Sequence, residues 1–229
     1  MKIGLLAAMS CEREQIANLL DNRSKIEFDG IEIIVGSIGN NEIALCESGI
    51  GKVNSAFVAT NLIKAFSPDV LISTGCAGGI DPSLRVGDVV VSERCVYHDV
   101  WCGQGNLPGQ MIGLPRFFEC DGELVKKAVS CDSEETRVIP TLLATGDQFV
   151  DTDEAREKIK RNFPDVIAVE MESAALAHIC HLKNIPFISF RVISDVPGET
   201  GNNTQVYENF WATMADKSFG ITRKFLEKI

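Results

Sequence analysis

The chain has few basic residues and no long apolar run. Lys and Arg total 22 against 32 Asp and Glu, so the formal net charge is −10. Nucleic acids and anionic membrane surfaces bind through a basic face, and this balance disfavours both partners. No stretch approaches the roughly 20 apolar residues that span a bilayer. We expect a soluble protein that binds neither nucleic acid nor membrane.

Several common site motifs are also missing. The eight cysteines contain no C-x-x-C pair, which excludes the usual zinc and thioredoxin-like spacings. No Ser or Cys stands in a G-x-S-x-G motif, and Gly75–Gly79 lacks both the P-loop Lys and the G-x-G-x-x-G spacing. The apolar run 3–9 is too short for a signal-peptide core. We expect no metal site, reduced thiols and a cytoplasmic location.

Strand and helix patterns alternate along all 229 residues, with no repeat, low-complexity tract or dividing linker. We therefore predict one domain, residues 1–229, of the α/β class: a three-layer α/β/α sandwich with a central mixed β-sheet. A hairpin, 31–38 with 42–47, argues against a purely parallel sheet. The other predicted strands are 3–9, 69–74, 86–91, 138–145, 166–169 and 186–193. The predicted helices are 12–20, one opened by 48–51 and reaching 62, 121–129, 153–162, 173–182 and 205–226, and 98–119 is predicted to be a long loop.

Three acidic residues follow predicted buried strands: Glu12, Glu172 and Asp195. Open α/β sheets bind ligands outside the carboxyl ends of their strands. By local sequence alone, the favoured interpretation of Glu12 and Glu172 is that each is an ordinary acid in the first turn of a helix. Asp195 lies beside apolar positions and needs partners, for which Arg191 and Ser194 are candidates. Together the three carboxylates suggest a site that manages protons and a developing positive charge.

Short segments that occur together and in order give the chain a family resemblance. They are Met1–Gly4, Ala8–Met9 with Glu12, Ser48–Val53, Thr74–Gly79, Val86–Asp88, Gly146–Phe149, Asn162–Pro164, Val169–Glu172 and Arg191–Asp195. In this combination the chain resembles the bacterial 5′-methylthioadenosine/S-adenosylhomocysteine nucleosidases of the purine nucleoside phosphorylase-like superfamily. The resemblance spans nearly the whole chain, and the ordered combination is far more specific than any one motif.

The resemblance implies a homodimer that hydrolyses the N-glycosidic bond of 5′-thio-substituted adenosines without a metal or organic cofactor. The expected products are adenine and a thioribose. By position, Asp195 resembles the general acid that protonates adenine at N7. Glu12 resembles the residue that orients or deprotonates the attacking water, with Arg191 nearby, and Glu172 resembles the ligand of the ribose hydroxyls.

The resemblance also assigns the remaining pocket. Phe149 would stack on the base, and the backbone of Val150 would read the adenine edge. The other expected substrate-binding residues are Met9, Ile50, Cys76, Ala77, Gly78, Glu170, Met171, Ser194 and Tyr207.

The chemistry of bond cleavage accounts for the three acids. Loss of adenine leaves an oxocarbenium-like sugar, so the base must be protonated while negative charge faces the ribose. Phosphorolysis would instead need a cluster of cationic or backbone donors, whereas Glu12 would repel phosphate. Hydrolysis is therefore the expected reaction.

Two positions depart from the family pattern. Cys76 replaces the usual serine, which exchanges a strong hydroxyl donor for a weak thiol. The loop Val100–Leu114, which in the family helps to form the 5′-substituent pocket and the dimer contact, differs in sequence. The alternatives are a nucleosidase for another purine nucleoside, such as futalosine or 5′-deoxyadenosine, and a catalytically silent nucleoside-binding protein.

Overall fold

The computed structural model describes residues 1–196 and 215–229. Tyr207 and residues 205–214 of the predicted last helix lie outside this described part. The strands are β1 (Lys2–Ala7), β2 (Asp21–Phe28), β3 (Ile31–Ile38), β4 (Asn41–Glu47), β5 (Val70–Gly79), β6 (Val89–Tyr97), β7 (Phe118–Glu119), β8 (Val138–Thr145), β9 (Val166–Glu170) and β10 (Phe187–Asp195). The helices are α1 (Ser10–Ala17), α2 (Lys52–Phe66), α3 (Gly122–Val129), α4 (Asp153–Asn162), α5 (Ser173–Lys183) and α6 (Ala215–Lys228).

The strands form a mixed sheet in the order β10-β6-β8-β9-β5-β1-β4-β3-β2, with β7 paired to β6. Strand β5 is parallel to β1 and β10 and antiparallel to β9. Because β10 pairs with both β5 and β6, the strands β5, β9, β8, β6 and β10 close on one another. The ends of β5, β9 and β10 are thereby brought close together.

Helices cover both faces of the sheet, which confirms the predicted α/β/α architecture. On one face α1, α3 and α6 contribute to an apolar cluster that includes Ile16, Leu124 and Phe225. On the other face α2 and α5 contribute to a second cluster that includes Leu62 and Leu176. Within the described residues, no helix combines the length and apolarity that a membrane span needs.

The strands differ from the prediction in several places: the short strand β7 lies within the predicted loop 98–119, and the strand predicted at 86–91 is β6, Val89–Tyr97. Strand β2 was not predicted, because Asp21–Phe28 is exposed along its whole length and shows no apolar alternation. It forms the edge of the sheet, where it pairs with β3 alone among the described strands. The strand predicted at 69–74 is longer than expected, because Gly75–Gly79 continues β5 and pairs with β10 and β9. Its small residues carry little strand propensity, and tertiary pairing decides their conformation.

Candidate active site

Residues at the carboxyl ends of β1, β5, β9 and β10 line a cavity of about 290 Å³. Such a volume is near the lower limit for a small-molecule pocket. The sequence-predicted site residues on its wall are Met9, Glu12, Ile50, Cys76, Ala77, Gly78, Phe149, Val150, Glu170, Met171, Glu172, Arg191, Ser194 and Asp195. The prediction missed Ala8, Gln148 and Val169, which are direct neighbours of predicted residues.

Glu12 is buried in the first turn of α1 and is held by backbone donors. Its Oε2 accepts the N–H groups of Ala8 (2.9 Å) and Met9 (3.0 Å), and its Oε1 accepts the N–H of Cys76 (2.9 Å). Burial raises the pKa of Glu12, while Arg191 and these N–H groups oppose the rise by favouring the carboxylate. The donors fix one carboxylate orientation at the cavity wall.

Gly75 makes room for this carboxylate. Its φ of +138° is unfavourable for a side chain, and an added Cβ would lie 2.5 Å from Glu12 Oε1. If Glu12 acts on the water as the resemblance implies, Gly75→Ala should displace its carboxylate and lower kcat for adenine release by about 10²-fold. Steady-state kinetics would test this. The control is Gly122→Ala at the start of α3, where an added Cβ meets nothing within 4 Å. Equal activities of the two variants would show that Gly75 is not needed to position the Glu12 carboxylate.

Arg191 is the buried cation of the site. Its Nη2 lies 2.9 Å from Glu170 Oε2, and its Nη1 lies 3.2 Å from Glu172 Oε2. It also donates to the carbonyl of Cys76 (3.1 Å) and to Ser73 Oγ (2.6 Å). Burial acts to lower the pKa of Arg191, but the surrounding carboxylates outweigh burial and raise it. The guanidinium therefore stays charged and links β5, β9 and β10.

Glu170 is occupied by contacts within the protein. Its Oε2 accepts the N–H groups of Glu172 (2.9 Å) and Ser173 (2.7 Å) as well as Ser173 Oγ (2.9 Å). Its Oε1 accepts a hydrogen bond from the Thr145 hydroxyl group. Arg191 also contacts this carboxylate. Glu170 lines the cavity, but its contacts within the protein serve to orient the start of α5 and the arginine side chain.

A layer of buried hydroxyl groups supports these charges. Ser173 Oγ lies 2.8 Å from Ser189 Oγ, and Ser189 N–H donates to Ser92 Oγ at 2.8 Å. Ser73 and Thr145 contact Arg191 and Glu170 directly. This layer was not predicted from the sequence. Serine and threonine side chains within apolar strands could have indicated it, because buried hydroxyl groups need polar partners.

Glu172 stands immediately before α5 and faces the turn that precedes α2. Its Oε1 accepts the N–H of Gly51 at 2.9 Å. Burial, with help from Glu170, raises the pKa of Glu172 to about 7, although Arg191 opposes the rise. Glu172 is thus a buried acid whose pKa lies near neutral pH.

Stability should respond to this titration. The folded-state pKa of about 7 exceeds the ordinary value of 4.5, so the folded protein holds the proton more tightly than the unfolded chain does. The stabilisation that this proton gives to the folded state is fully present below about pH 4.5 and is lost as pH rises through 7. Glu172→Gln removes the titration. As pH rises from about 5 to 7, the free energy of unfolding of the variant should increase relative to that of wild type by at most about 1.4 kcal/mol per pH unit. Urea unfolding across this range checks the sign; a constant difference would contradict it.

Asp195 ends β10 and is buried beside Gly78. Ser194 Oγ donates to its Oδ1 at 2.8 Å, as the sequence suggested. An added Cβ at Gly78 would lie 3.4 Å from Asp195 Oδ2, within ordinary van der Waals contact, so the carboxyl group packs directly against this glycine. The backbone register shifts between Ile193 and Asp195, which turns the end of the strand locally.

Cys76 lines the cavity next to the Glu12 carboxylate. Burial, then the charge of Glu12, raises the pKa of this thiol well above its ordinary value. The group is therefore a neutral thiol at physiological pH and not a nucleophilic thiolate. In the described part of the chain, no group of three or more His, Cys, Asp or Glu side chains is arranged to hold a metal ion.

Phe149 and Ile50 form the open side of the cavity. Each is about half exposed, at 47% and 51%, while the neighbouring Val150 is buried. An exposed aromatic face beside an apolar pocket is suited to stacking on a planar ligand. The cavity thus has an apolar part, lined by Ile50, Phe149 and Val150 and called the slot below, and a part lined by carboxylates.

Known proteins share this architecture. A family model described as the phosphorylase superfamily matches residues 2–227. A 5′-methylthioadenosine/S-adenosylhomocysteine nucleosidase from S. pneumoniae, solved with a transition-state inhibitor, is 35% identical, with 100% of this chain and 99% of that chain covered and a TM-score of 0.90. The corresponding nucleosidase from Colwellia psychrerythraea, solved with adenine, is 33% identical over 100% and 97%, with a TM-score of 0.92.

A futalosine hydrolase mutant from Helicobacter pylori is also similar, at 28% identity over 100% of both chains and a TM-score of 0.91. The family match and the full-length identities above 30% identify the group to which the sequence is related. The chain belongs to the phosphorylase superfamily and, within it, to the 5′-methylthioadenosine/S-adenosylhomocysteine nucleosidases.

Proposed function

We propose that the protein hydrolyses the N-glycosidic bond of 5′-thio-substituted adenosines and releases adenine and a 5-thioribose. The expected substrates are 5′-methylthioadenosine, S-adenosylhomocysteine and 5′-deoxyadenosine, the last of which would give 5-deoxyribose. The observation that carries the proposal is the convergence of Glu12, Glu172 and Asp195 on one buried cavity beside an apolar slot. The whole chain, 1–229, would act as one catalytic domain.

Asp195 acts as the general acid. Its buried carboxyl group would deliver a proton to N7 of adenine, so that the base leaves as a neutral molecule. Ser194 Oγ, 2.8 Å from Oδ1, orients the carboxyl group toward the base. Phe149 and Val150 would hold the base on this side of the cavity. Protonation weakens the glycosidic bond before the water attacks.

Glu12 governs the water. A carboxylate offers about four acceptor positions, and three backbone N–H groups occupy three of them. The remaining position on Oε1 can accept a proton from water. Because the N–H donors fix the carboxylate, this acceptor is oriented before the substrate binds.

Glu172 binds the ribose. Its Oε1 accepts the N–H of Gly51, and its Oε2 faces Arg191, which leaves acceptor positions for sugar hydroxyl groups. Negative charge next to the ribose would stabilise the positive charge that develops on the ring. Glu170 stabilises this arrangement through Arg191.

Electrostatics favour water over phosphate as the attacking group. Among the described cavity-lining residues Arg191 is the only Lys, Arg or His, and it already contacts Glu170 and Glu172. A phosphate dianion would enter beside Glu12 and Glu172, where like charges repel it. Water carries no such penalty.

We further propose that the protein is a homodimer. Val53 and Phe57 on α2 and Leu182 on α5 are 79%, 57% and 60% exposed, and the two helices pack side by side. Exposed apolar side chains on neighbouring elements are typical of interaction surfaces. Sedimentation of Phe57→Glu would test this, with Ile26→Glu, an exposed apolar residue on strand β2 and outside these two helices, as the control. A wild-type monomer would contradict it.

A cytoplasmic location is also proposed. All eight cysteines lie in the described residues and all are free thiols. Reducing compartments keep cysteines in this form.

Product analysis tests the proposed function. Purified protein would receive 5′-methylthioadenosine, S-adenosylhomocysteine, 5′-deoxyadenosine, futalosine and inosine in separate reactions. We expect free adenine from the first three. Base release from futalosine alone would favour the futalosine hydrolase alternative, and no release from any of them would indicate a nucleoside-binding protein without activity.

A further inference from the structure

Helix α2 receives its N-terminal cap from a different part of the chain. The residue before it is Gly51, which has no side chain and a φ of +94°. Asp147, which follows β8, accepts the N–H of Lys52 at 2.8 Å through Oδ1. A carboxylate in this place satisfies a backbone donor and interacts favourably with the helix dipole. An added Cβ at Gly51 would lie 2.9 Å from Asp147 Oδ1, so glycine permits this approach.

The same two residues join a third segment. Lys52 Nζ lies 2.6 Å from Asp99 Oδ2 and 3.6 Å from Asp147 Oδ2. Asp99 Oδ2 also accepts the N–H of Asp147 at 2.9 Å. Burial acts to raise the pKa of Asp99, but the Lys52 ammonium and the Asp147 N–H outweigh burial and lower it. Three segments, each from a different part of the chain, therefore share one charged cluster.

Two segments of the cavity wall extend from this cluster. In one segment, Ile50 lines the cavity and the N–H of Gly51 holds Glu172. In the other segment, Asp147 is followed directly by Gln148, Phe149 and Val150, which also line the cavity. The three members of the cluster are not part of the cavity wall. They can affect a bound ligand only through these neighbours.

We infer that Lys52, Asp99 and Asp147 form a clamp that positions the base-binding wall against the sugar-binding wall. These are positioning residues, not catalytic ones. The inference rests on the proposed function, because it takes an adenine-type base as the ligand of the Phe149 slot. The clamp includes no residue of α1 or β10, which carry Glu12 and Asp195, and Glu172 keeps its contact with Arg191 even if the Gly51 N–H moves. Its loss should therefore weaken binding far more than it slows the chemical step.

Asp147→Ala removes the cap and one partner of Lys52. We expect KM for 5′-methylthioadenosine and Kd for adenine to rise about tenfold, the effect of losing one helix cap that is coupled to binding. We expect kcat to stay within about threefold of wild type. Asp147→Asn keeps an oxygen acceptor for the Lys52 N–H and should recover part of the affinity. Lys52→Met keeps the cap but removes the ion pairs, and should raise Kd to a smaller extent.

Asp121→Ala is the matched control. Asp121 caps α3 by accepting the N–H groups of Glu123 (3.0 Å) and Leu124 (2.9 Å), outside the cavity wall. It should lower the melting temperature about as much as Asp147→Ala but leave KM and Kd unchanged. Calorimetric titration with adenine gives Kd independently of turnover.

Three outcomes are distinguishable. A selective rise of KM and Kd in Asp147→Ala supports the clamp. Equal affinities in Asp147→Ala and Asp121→Ala, with an active wild type, overturn it while the proposed function stands. A wild type that neither binds adenine nor releases it refutes the proposed function and the clamp with it.

Discussion

Asp195→Asn is expected to lower kcat by about 10²–10⁴-fold, the usual contribution of a general acid. Asparagine has nearly the same shape and can still donate a hydrogen bond to the base, but it cannot transfer a proton. The Ser194 hydroxyl group retains an oxygen acceptor at this position. Adenine affinity and the melting temperature should therefore change little.

Single-turnover kinetics and calorimetric titration with adenine separate the two effects. Ser194→Ala is the comparison variant, because it leaves the acid in place and removes only its orienting hydrogen bond. Its kcat should lie between those of wild type and Asp195→Asn. If Asp195→Asn changed neither turnover nor binding, Asp195 would not be the proton donor.

Arg191→Met is expected to lower the free energy of unfolding by about 3–5 kcal/mol, the cost of breaking a buried ion pair by removing one partner. The guanidinium is 2% exposed and contacts both Glu170 and Glu172. Without it, two buried carboxylates lose their counter-charge. This cost is a large fraction of the roughly 5–15 kcal/mol that stabilises a typical domain.

Urea unfolding near neutral pH measures this loss. Lys126→Met is the control, since Lys126 forms a solvent-exposed ion pair with Glu123 and its removal should leave the unfolding midpoint almost unchanged. The deficit of Arg191→Met should shrink at lower pH, where protonation neutralises the two buried glutamates that have lost their counter-charge. Equal midpoints for both variants would show that the arginine is not required to balance the cluster.

The charge balance of the site links stability to function. Four buried acids, Glu12, Glu170, Glu172 and Asp195, surround one buried arginine. Burial raises the pKa values of both Glu12 and Glu172, and the neighbouring charge of Glu170 adds to the rise at Glu172. An oxocarbenium-like sugar would supply positive charge at the transition state, where the imbalance becomes favourable.

Apolar strands carried most of the fold information in the sequence. The run of β10 is buried throughout and that of β8 is buried from Thr141 to Thr145, and such apolar runs predict strands. Strand β2 has no buried residue and could not be found in this way. The end of β5 was missed because Gly75–Gly79 is a strand by virtue of its neighbours β9 and β10.

The acids of the site were visible as strand-end residues, but their division of labour came from the family resemblance. Local pattern could not show that Arg191 contacts Glu170 and Glu172, since these contacts join β10 to residues about twenty positions earlier. The cluster of Lys52, Asp99 and Asp147 was likewise not predicted. Asp99 and Asp147 lie 47 and 95 residues after Lys52 along the chain, and each of the three alone resembles an ordinary surface charge.

Adenine release from 5′-methylthioadenosine, measured with and without inorganic phosphate, tests the central claim most directly. If the acids form a hydrolytic site, adenine appears at the same rate in phosphate-free buffer, and the sugar product is free 5-methylthioribose. Adenine release that required phosphate and yielded a sugar 1-phosphate would contradict the account.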